Sequence, residues 1–214
     1  MHQTDDLALW PVVRRAGQNF LRRVQQFYVF NKGDSALLLT RDRACYAIGK
    51  NMTRIVSKDI NGCLGVGPDL DEVTQPTEVV ELRGVTIVAC HSGYGHVMVL
   101  TSDGHLWGWG RNDRGQVDCG NREDQHRPVL VMSGVRMVRC GWWHTAALKL
   151  DGTLWCWGNN YAGQLGLGHK YKQTTPSQVT GLTGQRVVYI DCGANSCVAL
   201  TDHPRIYNWG WFDN

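Results

Sequence analysis

The chain has 214 residues, enough for one domain with a sizeable core. Its 43% apolar and 19% charged content excludes a disordered chain. The net charge of +3 gives no ground by itself for nucleic-acid binding. Twenty-five glycines point to many tight turns, as in an all-β chain. No run approaches the ~18 apolar residues of a membrane helix. The first residues lack a basic start followed by an apolar core, so an intracellular chain, cytoplasmic or nuclear, with eight reduced cysteines is expected.

In chain order, residues 4–28 stand apart. Phe20, Leu21, Val24, Phe27 and Tyr28 share one helical face, with Arg22, Arg23, Gln25 and Gln26 opposite. Pro11 suits a first helical turn. The spacing predicts a short amphipathic helix within an N-terminal segment, 1–31. Residues 1–60 carry ten Lys/Arg against five Asp/Glu, read mainly as a solvated helix face.

From Lys32 the period changes to two. "HVMVLTS", "TAALKLD" and "CVALTD" read as strands, followed by turns such as Asp103-Gly104 and Asp151-Gly152 and by second strands, "HLWGWG" and "TLWCWG". A Gly-rich loop comes next, then a polar stretch with Pro76, Pro128 or Pro176. An apolar strand, "VTIVAC", "VRMVRC" or "VVYIDC", closes each unit. Trp-Gly pairs recur at 109/110, 157/158 and 209/210, spaced by 48 and 52 residues. Four short strands in about 50 residues is the size of one propeller blade. Expected blades are 32–90, 91–140, 141–192 and an incomplete 193–214.

The motif is fullest in the third unit: Gly141, His144, Leu148, Asp151, Gly152, Trp157, Gly158, Asn160, Gly163, Gln164, Leu165, Gly166 and Gly168. The second unit has Gly93, His96, Leu100, Asp103, Gly104, Trp109, Gly110, Asn112, Gly115, Gln116 and Gly120, but Val117-Asp118 replaces Leu-Gly. The fourth retains Gly193, Trp209 and Gly210. The first has Ile48-Gly49 in place of Trp-Gly and an insertion, Met52–Ile60.

This multi-part motif resembles the repeat of the regulator of chromosome condensation family, over Lys32 to Asn214. The resemblance implies an all-β, partial β-propeller: three repeats and part of a fourth, of an expected seven, with four-stranded antiparallel blades and a short N-terminal helix. Open blade edges invite pairing, so a fragment, a truncated gene model or half of an assembly is expected. Trp10-Pro11, "NGCLGVG" and "ACHSGYGH" most resemble the members that also carry a BTB domain.

No catalytic, cofactor or metal residue is expected. His96 and His144 each precede an Asp by seven residues, two-thirds of a nucleophilic triad. The pairing recurs, however, and His becomes Ser196 in the fourth unit, so these histidines read as loop supports. No Cys-x2-Cys exists, and Cys192 and Cys197 lie five apart, so no zinc site is expected. Of Trp107/Trp109 and Trp155/Trp157, one of each pair is expected in the core and the other against the next blade. Trp142 and Trp143, with Tyr94, fill variable positions of Gly-x-x-His and are candidate partner contacts, as are Arg54 and Lys58 of the insertion.

The expected function is a non-catalytic protein-interaction module. By the same resemblance it is the substrate-recognising part of a BTB-type ubiquitin-ligase adaptor. The alternative is guanine-nucleotide exchange on a small GTPase such as Ran. Nucleic acid and membrane are not expected partners, because the repeat region is near neutral and no apolar span exists.

Overall fold

The computed structural model describes residues 10–55, 58–118 and 120–211, and of 53–61 the backbone alone. Two single-turn helices, α1 (Pro11–Arg14) and α2 (Gln18–Leu21), precede the strands. The first sheet uses β1 (Val24–Phe30), β2 (Ser35–Thr40) and β3 (Cys45–Lys50). A separate two-stranded hairpin, β4 (Met52–Ile55) and β5 (Lys58–Asn61), intervenes before β6 (Glu72–Glu78) completes the sheet in the order β1-β2-β3-β6.

The second sheet is a meander of β7 (Ile87–Ser92), β8 (His96–Thr101), β9 (Leu106–Gly110) and β10 (Gln125–Met132). The third repeats it with β11 (Val135–Cys140), β12 (His144–Lys149), β13 (Leu154–Gly158) and β14 (Gln173–Gln178). The fourth has β15 (Val187–Cys192), β16 (Asn195–Thr201) and β17 (Ile206–Trp211) among the described residues. Among the described residues no helix is long and apolar enough to cross a membrane.

Sheets of this kind bury both faces, and each pair of neighbours shares a core. Leu37, Leu39, Val97, Val99 and Trp109 fill the space between the first and second sheets. Met98, Leu100, Val138 and Trp157 lie between the second and third. Ala146, Leu148, Ile190 and Ala199 lie between the third and fourth. Every residue of β2 and β8 is buried for this reason, and such strands read as continuous apolar runs. Val12, Val13 and Ala16 of the N-terminal segment cover the outer face of the first sheet, against Phe27, Ala36, Leu38 and Ile48.

Three expectations are corrected. The helical face proposed over Phe20–Tyr28 is split: Phe20 and Leu21 lie in or at the end of α2, whereas Val24, Phe27 and Tyr28 lie on β1. A bulge between Val24 and Gln26 spaces the buried Val24, Phe27 and Phe30 three apart. Phe27 and Phe30 serve cores on opposite faces of the sheet, so a doubly buried, bulged strand imitates helical periodicity. Second, the strands read as closing each unit open the next sheet: β7, β11 and β15 pair with β8, β12 and β16. Boundaries drawn at 140 and 192 therefore cut between first and second strands, the one at 90 cuts through β7, and the start at Lys32 cuts off β1. Third, Trp107 and Trp109 pack on one common core, as do Trp155 and Trp157. Residues two apart on a strand share a face.

The first strands are innermost. β11 packs beside both β7 and β15, and β1 and β7 face each other across a cleft of about 370 Å³. His91 of β7 borders that cleft, and Arg139 of β11 links it to Asp191 and Tyr189 of β15. Arg139 lies 3.0 Å from His91 Nε2 and 3.5 Å from Asp191 Oδ1, and 5.5 Å from the Tyr189 ring centroid. Burial, then the Arg139 charge, lowers His91 to about 4 against the opposing pull of Asp191.

Candidate interaction face

Two sets of repeated contacts build this face. In the first, the Trp indole of each Trp-Gly pair donates to a carbonyl in the Gly-rich loop of the preceding unit. Trp109 Nε1 reaches Cys63 O at 3.0 Å, Trp157 Nε1 reaches Gln116 O at 3.0 Å, and Trp209 Nε1 reaches Gln164 O at 2.9 Å. Trp109 and Trp157 are fully buried. The glycine after each Trp, and Gly49 after Ile48 in the first unit, has positive φ, and a Cβ there would sit 2.1–2.5 Å from a backbone oxygen: Asp34 at Gly49, Gly95 at Gly110, Trp143 at Gly158 and Asn195 at Gly210. Only glycine fits where strand and loop approach this closely.

The second set ties the Gly-x-x-His loops together around the mouth of the central channel. The Tyr94 N–H donates to the Trp142 carbonyl at 2.9 Å, and the Trp142 N–H donates to the Ala194 carbonyl at 3.0 Å. Gly93 and Gly141 permit this, because a Cβ on either would meet the next loop's carbonyl and its own histidine ring. His96 Nε2 lies 3.1 Å from Thr145 Oγ1, and His144 Nε2 lies 3.1 Å from Cys197 Sγ. Burial, then His144, lowers His96 to about 3, so its ring is neutral at pH 7.

The aspartates are elsewhere. Asp103 pairs with Thr101 and His105, and Asp151 accepts from the Thr153 backbone and hydroxyl. Each aspartate caps the hairpin at the far end of the strand that its histidine begins. No His–Asp relay forms, and these groups are architecture. Asn112 and Asn160 likewise hold their own loops. Asn160 Oδ1 accepts from Leu165 N at 3.0 Å, and Nδ2 donates to the His169 and Tyr171 carbonyls. Asn112 Oδ1 accepts from Val117 N, and Nδ2 donates to Asn121 O. Asn51 repeats the arrangement on Leu64, Gly67 and Leu70. The loop turns stand just past these asparagines, with Gly115 and Gly163 closing onto the Asn112 and Asn160 carbonyls. Gln116 and Gln164 each accept a backbone N–H through Oε1.

The aromatic candidates converge on this rim. The Tyr94 ring lies 5.0 Å from Trp143, edge on, and 6.1 Å from Trp142. Trp142 is 54% exposed, and Tyr94 and Trp143 are half-buried. Arg111, which sequence reasoning missed, extends the stack: its guanidinium sits 4.2 Å from the Trp143 ring centroid. Asp113 grips Arg111 with two bonds of 2.6 and 2.7 Å. Burial alone would raise the Asp113 carboxyl, and the Arg111 fork more than offsets this, so it ionises below its ordinary value. In the sequence Arg111 fills the variable position of Trp-Gly-x-Asn, but nothing local points to the Trp143 ring.

Below the rim is a cavity of about 370 Å³, bordered by Phe30, Tyr94, Trp142 and Cys192. A second, of about 540 Å³, runs from Tyr94 to Lys32, Met52 and Glu72, and so places the β4–β5 hairpin beside the aromatic rim. Arg54 and Lys58 fall on that hairpin, and their side chains lie outside the described residues.

Sequence distance hid one further cluster. His144 Nε2, Cys192 Sγ and Cys197 Sγ lie within 4.8 Å of one another, and the two sulfurs are 3.1 Å apart. The cysteines are five apart in sequence but directly opposite on β15 and β16, a pairing that motif spacing alone did not reveal.

Comparison with known proteins agrees with this geometry. Two models described as the regulator of chromosome condensation (RCC1) repeat match the chain, one at residues 103–148 and 151–200, the other at 85–116 and 135–164. Together they run from 85 to 200, more than half of the chain. The human E3 ubiquitin-protein ligase HERC2 is 35% identical over 155 residues, 70% of this chain and 3% of that protein. The ultraviolet-B receptor UVR8 of Arabidopsis thaliana is 32% identical over 184 residues, 84% of this chain and 40% of the receptor. Among solved structures, Prp20p of Saccharomyces cerevisiae superimposes with a TM-score of 0.68 at 20% identity, covering 90% of this chain and 45% of that one. The chain thus spans less than half the length of each of these relatives. Its repeated Trp-to-carbonyl and loop-to-loop ties, with the family match, identify it as a member of the regulator of chromosome condensation repeat family, with a partial β-propeller fold.

Proposed function

We propose that this chain is a non-catalytic protein-interaction module that engages its partner through the rim formed by Tyr94, Trp142 and Trp143. The observation that carries the reading is Trp142: more than half exposed, yet held by backbone bonds on both sides. A large aromatic ordered before binding loses little freedom on association, and such anchors dominate interface energies. The polar groups nearby suit a rim, with the Arg111–Asp113 pair behind the aromatics. The expected partner is an intracellular protein. In the finer form of the proposal it is a substrate presented to a ubiquitin ligase. The resemblance to BTB-containing members and the ligase name of HERC2 support that form.

Photo-crosslinking from position 142 tests the reading, with position 171, on an outer loop, as control. A partner crosslinked only from 142, and bound at least tenfold more weakly by Trp142→Ala, is the expected result. A partner that binds both forms equally would overturn it.

One observation favours a second reading, exchange on a small GTPase: the β4–β5 hairpin stands beside the rim, where a wedge would act. Prp20p, described with its binding to Gsp1p and histones, supports it by fold alone. Release of labelled GDP from a GTPase panel, abolished by deleting Met52–Ile60, would favour exchange; release unchanged by the deletion, or none at all, would exclude the hairpin as a wedge.

A further inference from the structure

The sulfur and nitrogen atoms between the third and fourth sheets carry an inference of their own. The Gly193 N–H donates to the Ser196 carbonyl at 3.0 Å and closes a two-residue turn. Cys192 and Cys197 then stand opposite each other just outside it, in the register of the closer, non-hydrogen-bonded pairs. Their sulfurs approach to 3.1 Å. His144, at the start of β12 in the neighbouring sheet, presents Nε2 to the Cys197 sulfur at 3.1 Å.

The preceding interface is the built-in comparison. There Thr145 occupies the place of Cys197, and Cys140 that of Cys192. The Thr145 hydroxyl joins two neighbours, His96 Nε2 at 3.1 Å and the Gln116 carbonyl at 2.8 Å. A hydroxyl therefore completes the architecture. Cys197 makes no matching bond to the Gln164 carbonyl among the described residues, and a thiol is a weak donor. Its neighbours are instead the sulfurs of Cys192 and Cys156 and an imidazole nitrogen.

We propose that His144 Nε2, Cys192 Sγ and Cys197 Sγ form a three-ligand site for a thiophilic divalent cation, zinc above all, with the fourth coordination position open. Two thiolates and an imidazole are a zinc donor set, and a four-residue spacer lies within the range seen between paired zinc cysteines. Tetrahedral zinc, with Zn–S of about 2.3 Å and Zn–N of about 2.0 Å, sets its ligand atoms roughly 3.5–3.8 Å apart. The three atoms, all within 4.8 Å of one another, reach that spacing by side-chain shifts below an ångström. An entry path exists, because Cys192 borders the mouth cavity while His144 and Cys197 are buried behind it. His144 Nδ1 is buried without a protein partner, so no neighbouring acceptor fixes its tautomer. Three ligands and that bare nitrogen place the site below a four-ligand structural zinc in affinity. A bound cation would pin the third sheet to the fourth.

The test is a titration of the reduced, metal-stripped chain with Co²⁺, read by absorbance. A thiolate-to-cobalt charge-transfer band with tetrahedral ligand-field bands, saturating at one equivalent and displaced by zinc, is the expected result. Cys192→Ser, on the channel wall, should keep the circular-dichroism spectrum and weaken Co²⁺ binding at least tenfold. Cys90→Ser, on β7 and two residues short of the place that matches Cys192, should bind as the parent does. Absence of the charge-transfer band in the parent chain overturns the proposal, as does an unaltered band in Cys192→Ser. A protein purified without reductant that is 2 Da light, with Cys192 linked to Cys197, also overturns it, because the pair would then serve as a disulfide.

Discussion

The tie between the second and third sheets makes a sharp thermodynamic prediction. The Gln116 carbonyl, in a fully buried residue, accepts from both Trp157 Nε1 at 3.0 Å and Thr145 Oγ1 at 2.8 Å. Trp157→Phe removes one donor and part of a ring from a closed core, a loss of about 1–2 kcal/mol. Thr145→Val removes the other donor and the partner of His96 Nε2, about 1–3 kcal/mol. Either single variant leaves the carbonyl one hydrogen bond. The double variant leaves it none, and an unmet buried acceptor costs roughly a further 1–2 kcal/mol. The double-mutant cycle should therefore show a coupling of about that size, with the double variant less stable than the sum of the singles predicts. Urea unfolding reads it as a shift of midpoint at constant slope. Additivity within ~0.5 kcal/mol would refute the shared-acceptor account.

Three other outcomes are expected. Gly158→Ala should destabilise by at least ~2 kcal/mol, since it puts a side chain at φ +102° and 2.5 Å from the Trp143 carbonyl; a chemical-denaturation midpoint checks it. Trp142→Ala should change unfolding free energy by less than ~1 kcal/mol, since its ring is more than half exposed and meets the Tyr94 ring only at 6.1 Å, while its ties to the other loops are backbone bonds, so a larger loss of binding is an interface effect. Folded His91 and His96 hold their protons more weakly than the ordinary 6.5, at about 4 and about 3. The unfolded chain therefore takes up protons first, and stability present at pH 7 is lost as pH falls through 6.5 toward 4. Thermal melts across that range should fall less steeply for His91→Gln; an unchanged slope would remove His91 from the account.

Much of the fold was legible because the chain repeats itself. Asp103-Gly104 and Asp151-Gly152 mark hairpins, and Trp109-Gly110 and Trp157-Gly158 mark the strands they bind. Sheet membership was less legible, because "VRMVRC" is apolar whether it pairs backward or forward; only the partner strand decides. β1 was hidden by its bulge. At the rim, Tyr94, Trp142 and Trp143 were recognisable as aromatics in variable slots of a loop motif. Arg111 was not, because its meaning depends on a ring 4.2 Å away and 32 residues further along the chain. The Cys192–Cys197–His144 cluster was concealed by the same non-locality.

A repeat protein contains its own controls. Trp109, Trp157 and Trp209 make the same bond in successive units, which a selected function at one site does not require and a stacked architecture does. The positions between those constants are free to differ, and they do: Tyr94, Trp142 and Ala194 share one backbone role, while Lys50, Arg111 and Asn159 share another. Each of the second set donates its N–H to the carbonyl just before the β2, β8 or β12 strand, beside the first set. Both variable sets therefore emerge on one face, around the channel mouth, where side chains can change without breaking the backbone ties between sheets. The concentration of aromatic and cationic groups at that face follows from the folding constraint. A chain that must keep its Trp-to-carbonyl bonds can vary the rim side chains freely, and that freedom makes the rim a place for recognition.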